Sequence, residues 1–237
     1  MDAWQTVIVL TLMAGMAMPM GAWLARVECI PIDWLENELR HGIIAFGGGA
    51  LLSAVALVLV PDSLPVLDIA TAAGCFVAGG LAFMALDIAL HRSGTSASQL
   101  AAMLADFVPE ALALGAAFAH GSSGSLLLAG LMALQNLPEG FNAYHELRST
   151  TPYSSRRLIA MFFAMAWLGP LAGLSGFLWL APYPTAVAMI MLFAAGGILY
   201  SVFQDLAPQA KLDYHWGPPL GAVLGFALGL VGHMLLI

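Results

Sequence analysis

Long apolar runs, each close to twenty residues, fill almost the whole of this sequence. A helix needs about 20 predominantly apolar residues to cross the hydrocarbon core of a bilayer, so each run has the length of one span. Eight such runs are present, at residues 4–25, 41–61, 68–90, 99–120, 124–145, 157–180, 184–206 and 217–236. We therefore predict an all-α integral membrane protein in which residues 1–237 form a single transmembrane domain.

The composition agrees with this class and excludes others. Of the 237 residues, 61% are hydrophobic and 9% are charged, whereas soluble domains carry roughly 25% charged residues. The formal net charge of −7 leaves no basic face for nucleic acid, which is excluded as a partner. Cys29 and Cys75 lack metal-site spacing and offer no disulfide framework.

The basic residues occur only in every second link between the apolar runs. All seven lie in the odd-numbered links: Arg26, Arg40, Arg92, Arg148, Arg156, Arg157 and Lys211. Cytoplasmic loops carry an excess of Lys and Arg, so we expect the odd links in the cytoplasm and both termini outside. The compact chain favours a bacterial inner membrane. Its longest link, residues 26–40, is predicted to be a loop with one or two helical turns on the membrane surface.

Two internal similarities predict a repeated architecture. DFVPEALALG in the fourth run aligns with QNLPEGFNAY in the fifth on their Pro-Glu pairs. GGALLSAVALVLVPDS in the second run and GGILYSVFQDLAPQA in the seventh share Gly-Gly, Leu, Ser and a late Pro. The second and seventh runs cross in opposite directions, which indicates an inverted repeat of helices 1–3 and 6–8 around a central pair, helices 4 and 5. Such repeats are typical of secondary transporters, whose substrate sites lie near the membrane midplane.

Polar side chains interrupt the fourth and fifth runs at matching positions. Asp106 and Glu110 are four residues apart and share one helix face, as do Gln135 and Glu139. A tight turn over residues 119–125 makes the two spans antiparallel neighbours, with the two polar sets at similar depth. An acid at the centre of a span costs about 2.5–3.5 kcal/mol, and no Lys or Arg lies in the central part of any run. A shared divalent cation is the simplest compensation.

Proline accompanies both polar sets. Pro109 and Pro138 remove the helix hydrogen bonds to the carbonyls of Ala105 and Leu134. Free carbonyls at membrane depth are tolerated where they face a cavity, water or an ion. The alternative is a pair of kinked helices whose acids are protonated and hydrogen-bonded within a packed bundle. For Asn136, a hydrogen bond between helices and a ligand role both stay open.

The eight runs, the outside termini and the successive PEA and PEG motifs resemble the ZIP (Zrt-, Irt-like) family of divalent metal transporters. The resemblance extends over nearly the whole chain, because VPDSL and QDLAPQA are similar to that family's Leu-Pro-Glu and Glu-Leu-x-Pro-Glu signatures. It implies transport of Zn, Fe or Mn toward the cytoplasm by alternating access. The protein would then be no enzyme and carry no prosthetic group, with the divalent metal as its substrate.

The same resemblance implies a set of metal ligands. They are Asp106, Glu110, Gln135, Asn136 and Glu139. Asp106 stands where the family usually has His, and Phe107 replaces an Asn that usually serves a second ion. Gly169 stands where the sixth span usually supplies a Glu, so one metal site is expected and the second is expected to be lost. Asp205 matches a family acid at the inner end of the seventh span, where it is either part of an exit path or a simple interfacial acid.

Two other functions remain open at this stage. The loss of a second site is compatible with a degenerate relative that no longer transports and acts as a metal sensor or assembly partner. An intramembrane metal-dependent hydrolase would need a metal with an open position and a general base, and the sequence has no HExxH motif. The expected partners are the divalent ion and the lipid bilayer, with a homodimer as a further alternative.

Overall fold

The computed structural model of the protein describes residues 2–27, 33–93, 97–119, 124–211 and 216–236. Within these ranges 94% of the residues are helical and no β-strand is present. The prediction of an all-α protein is therefore confirmed. Cys29 and the central part of the predicted 119–125 turn lie outside the described ranges.

The described chain folds into eleven α-helices, several of which continue one another. They are α1 (Ala3–Val27), α2 (Asp33–Ala54), α3 (Val60–Ser63), α4 (Ile69–Ser93), α5 (Ala97–Ala119), α6 (Gly124–Thr150), α7 (Ser155–Ala166), α8 (Leu168–Ser175), α9 (Pro184–Ser201), α10 (Ala207–Ala210) and α11 (Gly217–Leu236). Three π-helical turns extend α2, α8 and α9: Val55–Leu59, Gly176–Leu180 and Val202–Leu206. A short 3-10 turn, Leu64–Val66, follows α3.

One boundary differs from the prediction. α2 begins at Asp33, so the helical part of the link, predicted as one or two separate turns on the membrane surface, is continuous with the helix of the following apolar run. Leu, Glu and Arg in residues 35–40 all favour helix, and this local preference extends the helix beyond its apolar part.

Six stretches of the described chain are long and apolar enough to cross a membrane. They are Ala3–Val27, Glu38–Val66, Ile69–Arg92, Ser155–Leu180, Pro184–Ala210 and Gly217–Leu235. The chain is thus a membrane-embedded protein. α5 and α6 are not among the six, although both are long helices, and α6 owes its lower hydropathy to the polar segment from Gln135 to Glu139.

The helices pack as two groups. In the central group, α1 packs along α6, α7 and α8, while α5 packs against α6 and α8. In the flanking group, α2 packs along α11 and α4 packs along α9. The two groups meet mainly where α2 contacts α6 and where α9 contacts α5. α5 and α6, which carry the predicted ligands, therefore lie at the boundary between the groups.

Four helix pairs approach closely through reciprocal glycines. In each pair, a glycine of either helix lies against the backbone of the other, where any side chain would collide with main-chain atoms. The pairs are Gly21 with Gly140 (α1 and α6), Gly115 with Gly176 (α5 and the end of α8), Gly49 with Gly225 (α2 and α11), and Gly79 with Gly196 (α4 and α9). Small residues at such contacts let helices associate in a membrane, where lipid is as apolar as the core.

The contacts also fix the helix directions. α1 and α6 run parallel, because Ala14 meets Asn136 and Met18 meets Gly140, four residues further along both helices. Equivalent contacts make α4 parallel to α9, and Gln209 of α10 bonds Asn142 in the C-terminal half of α6. The C-terminal ends of α1, α4, α6 and α10 therefore meet at one end of the bundle. All seven basic residues lie there, and we call it the basic end.

Candidate functional site

The polar segment of α6 is held inside the bundle. α6 packs against helices of both groups, and its buried residues occur on nearly every side of the helix. Gln135 and Asn136 are each only 1% exposed. Buried amides need hydrogen-bond partners, so the neighbours of these two side chains decide what the segment can do.

Gln135 pairs with the predicted acid of α5. Its Nε2 donates a hydrogen bond of 2.6 Å to Oε2 of Glu110, whose side chain is completely buried. The bond joins two antiparallel helices at the same depth, as the sequence predicts from the two Pro-Glu motifs. Both helices continue through their prolines, Pro109 and Pro138.

Asp106 and Glu139 lie one helical turn nearer the basic end and line a common cavity of about 50 Å³. Asp106 is also close enough to Glu110 and to Asp205 for the like charges to repel one another, and Glu139 is close to both Asp106 and Glu110. A cavity of this size accepts a few waters or a partly hydrated ion. Two of the five predicted ligands therefore line this cavity, and the bonded pair of Glu110 and Gln135 lies one helical turn deeper in the bundle.

Three oxygens of this cluster have no hydrogen-bond partner. They are Oδ1 of Asp106, Oε1 of Glu110 and Oε1 of Gln135, all on side chains that are at least nine-tenths buried. Leaving a buried acceptor unsatisfied costs about 1–3 kcal/mol, and more for a charged group. The cluster is thus a set of hydrogen-bond acceptors in which three oxygens lack a partner. A bound cation or added protons would satisfy these oxygens.

Asn136 faces a different neighbour. Its Nδ2 donates a hydrogen bond of 2.9 Å to the backbone oxygen of Ala14 in α1. Of the two alternatives left open by the sequence, the structure supplies the bond between helices. A ligand role for Asn136 stays a prediction.

Phe107 fills the interior on the other side of α5. Its ring is 1% exposed and lies between α1 and α8, beside two glycines. A Cβ at Gly169 would lie 2.6 Å from Cζ of Phe107, and a Cβ at Gly15 would lie 3.0 Å from the same atom. Phe107 and Gly169, at which the sequence lacks the residues expected for a second ion, are therefore in direct contact, and apolar packing occupies the space between them.

The cavity has further polar residues that the sequence analysis did not single out. Asn142, Ser201 and Gln209 line it together with Asp205. Two of them had a detectable signal: Asn142 follows Glu139 by three residues and Gln209 follows Asp205 by four, so each extends a polar helix face. The cavity runs from buried Asp106 to exposed Gln209 at the basic end.

The cluster offers carboxylate and amide oxygens, but they do not form a closed ligand shell. Carboxylate and amide oxygens suit Mg²⁺, Mn²⁺ and similar ions, whereas thiolate and imidazole would favour softer metals. Among the described residues, no three His, Cys, Asp or Glu side chains form a ready-made metal-binding group. The larger cavity between α1, α2 and α6, of about 650 Å³, is lined by apolar side chains only and offers no side-chain ligand to an ion.

Comparison with known proteins adds no relative to this description. Neither a scan against protein-family models nor a search of curated proteins finds a match to this chain.

Proposed function

We propose that this protein is a carrier of divalent metal cations that binds its ion at the oxygen cluster of α5 and α6. The ligands would be Asp106, Glu110, Gln135 and Glu139. The observation that carries the proposal is the set of three buried acceptor oxygens without partners beside a polar cavity. All seven Lys and Arg residues lie at the basic end, so none of them neutralises the cluster.

The fold-level part of the proposal is a ZIP-like arrangement of eight spans with an inverted repeat. Two observations support the repeat. In the segment from α2 to α3, the close-contact glycine Gly49 lies six residues before the start of a π turn, and Pro61 lies six residues after that start. In the segment from α9 to α10, Gly196 and Pro208 have the same spacing from the start of the π turn Val202–Leu206. The helix packing also repeats. If α1 is exchanged with α7–α8, α2 with α9–α10, α4 with α11, and α5 with α6, each of the main packed helix pairs becomes another main pair or stays the same.

The orientation follows from charge. If the basic end faces the cytoplasm, as the positive-inside rule requires, the polar cavity opens toward the cytoplasm and both termini are outside. The bacterial inner membrane is the proposed location. Relative movement of the central and flanking groups would then give the cluster access to either side in turn, because the cluster lies at their boundary.

The test is ion flux in liposomes containing the purified protein. Influx of Zn²⁺, Mn²⁺ and Fe²⁺ is followed for the native chain, for Glu139→Gln and for Glu146→Gln. Glu146 lies on the same helix but does not line the cavity, so it is a matched control for the removal of one carboxylate. Saturable influx that is lost in Glu139→Gln and kept in Glu146→Gln is the expected result.

Other outcomes separate the competing functions. Metal binding without influx would favour the non-transporting relative, to which a cluster without a closed ligand shell is equally suited. Equal influx in all three proteins would remove the α5–α6 cluster from the transport path. Absence of both binding and influx would mean that protons, rather than metal ions, complete the acceptor network.

A further inference from the structure

One hydrogen bond crosses from the central to the flanking group at the polar cavity. Nδ2 of Asn142 on α6 donates to Oε1 of Gln209 on α10 over 2.6 Å. Both residues line the cavity that also contains Asp106 and Glu139. The bond from Gln135 to Glu110, by contrast, lies within the central group.

The two partners differ in their surroundings. Asn142 is 4% exposed, while Gln209 is exposed at the basic end. The bond therefore lies where the cavity passes from the interior to the surface. An ion that leaves Glu139 for the basic end must pass between α6 and α10, and the paired amides join those two helices.

We propose that the Asn142–Gln209 amide pair is the gate of the cavity at the basic end. Formed, the bond ties the central group to the flanking group and narrows the opening. Broken, it frees Oε1 of Gln209, which together with Oδ1 of Asn142 can replace waters around a passing cation, because amide oxygens are suitable ligands for hard ions. The effect of the gate on ion flux rests on the proposed transport function. The geometry of the amide pair does not depend on that function.

An amide pair suits this role energetically. Hydrogen bonds between helices in membranes average about 0.6 kcal/mol, so such a bond biases an equilibrium by roughly threefold and does not lock it. A carboxylate–base pair at the same place would bind or repel the ion directly. The neutral pair lets the opening respond to movement of the helix groups without trapping the cation.

The first experiment joins the two helices covalently. In a chain with Cys29→Ser and Cys75→Ser, Asn142→Cys and Gln209→Cys are linked by a short bis-methanethiosulfonate reagent. We expect ion influx into liposomes to fall at least tenfold on linking and to return on reduction. Tyr144→Cys with Ser155→Cys is the matched control, because those side chains are also hydrogen-bonded, at 2.7 Å, but join α6 to α7 within the central group.

The outcomes separate a failure of the proposed gate from a failure of the proposed transport function. Full influx through the linked Asn142–Gln209 pair would overturn the gate, as would an equal loss in the linked control. A parent chain that moves no ion before linking contradicts the proposed function, and the gate is then decided by a second measurement that needs no transport.

That measurement is the accessibility of the cavity. In the chain with Cys29→Ser and Cys75→Ser, Ser201→Cys places a single thiol in the cavity wall, and the rate of its reaction with a small water-soluble methanethiosulfonate is measured. We expect Asn142→Ala to raise this rate about threefold, which is the bias that the bond supplies, and Tyr144→Phe to leave it unchanged. Equal rates with and without Asn142→Ala would overturn the proposal.

Discussion

Asp106 and Phe107 are adjacent in sequence and lie on two sides of α5 with opposite character. Asp106 faces a polar cavity shared with Glu139, and one of its oxygens has no partner. Phe107 faces α1 and α8, where its ring fits against Gly15 and Gly169 and leaves no room for another side chain. One side of the helix thus borders a polar cavity, and the other side is filled by apolar packing.

This difference shows where the bundle places its buried polar side chains. The filled side is rigid because three helices meet there through glycine and an aromatic ring, so displacement of any of them creates a void or a collision. The unfilled side lies at the boundary between the two helix groups, where movement is possible without opening an apolar core. Stability and ion binding are therefore expected to depend on different sides of α5.

The largest effect is expected on the filled side. Phe107→Ala removes a buried ring and should lower the free energy of unfolding by about 3 kcal/mol, the lower end of the range for such changes because lipid offers the unfolded helices an apolar surface as well. Unfolding in mixed detergent micelles measures this loss. Ion affinity should stay within about threefold of the native value. A larger change would show that packing around Phe107 affects ion binding on the other side of α5.

The next effect belongs to the unfilled side. Glu110→Gln keeps the size of the side chain and an acceptor for Gln135 but removes a charge, so we expect the Kd for Mn²⁺ or Zn²⁺ to rise about 100-fold, or about 2.7 kcal/mol. Titration calorimetry on the detergent-solubilised protein measures it. Glu146→Gln is the control, and an unchanged affinity in Glu110→Gln would contradict the proposed ligand set.

A third change tests the fit of the Phe107 ring. Gly169→Ala puts a methyl group 2.6 Å from Cζ of Phe107 and 2.8 Å from the backbone oxygen of Thr11, which should cost about 1–3 kcal/mol of stability. Adding Phe107→Leu should recover part of this loss, since only the ring contact is relieved. Gly74→Ala is the control, because a Cβ there meets nothing within 4 Å. An equal effect of the two alanine substitutions on thermal unfolding would refute the close fit.

The smallest effect separates the adjacent amides of α6. Asn136→Leu breaks the bond to Ala14 and should lower stability by about 0.6 kcal/mol, and by no more than about 1.7 kcal/mol. Ion affinity should change by less than about threefold. A tenfold or larger loss of affinity in calorimetry would instead make Asn136 a ligand.

Much of the fold could be predicted from the chain. Apolar length predicted the positions of the long helices, and the composition predicted the membrane environment, because a fold with so many exposed apolar side chains is stable only where lipid surrounds it. The π turns in Val55–Leu59 and Val202–Leu206 and the start of α2 at Asp33 were not predicted. They depend on local helix geometry and propensity, to which a search for apolar runs is insensitive.

The site was predictable only in part, and for a physical reason. Helical periodicity puts Asp106 with Glu110 and Gln135 with Glu139, so their convergence could be expected from spacing alone. Which neighbour each side chain meets depends on the rotation of each helix about its axis, and the packing of the whole bundle sets that rotation. The sequence by itself therefore determined that acids and amides would be buried together. Only the tertiary structure decided that Gln135 bonds Glu110, that Asn136 turns to α1, and that Asn142 meets Gln209 at the end of the cavity.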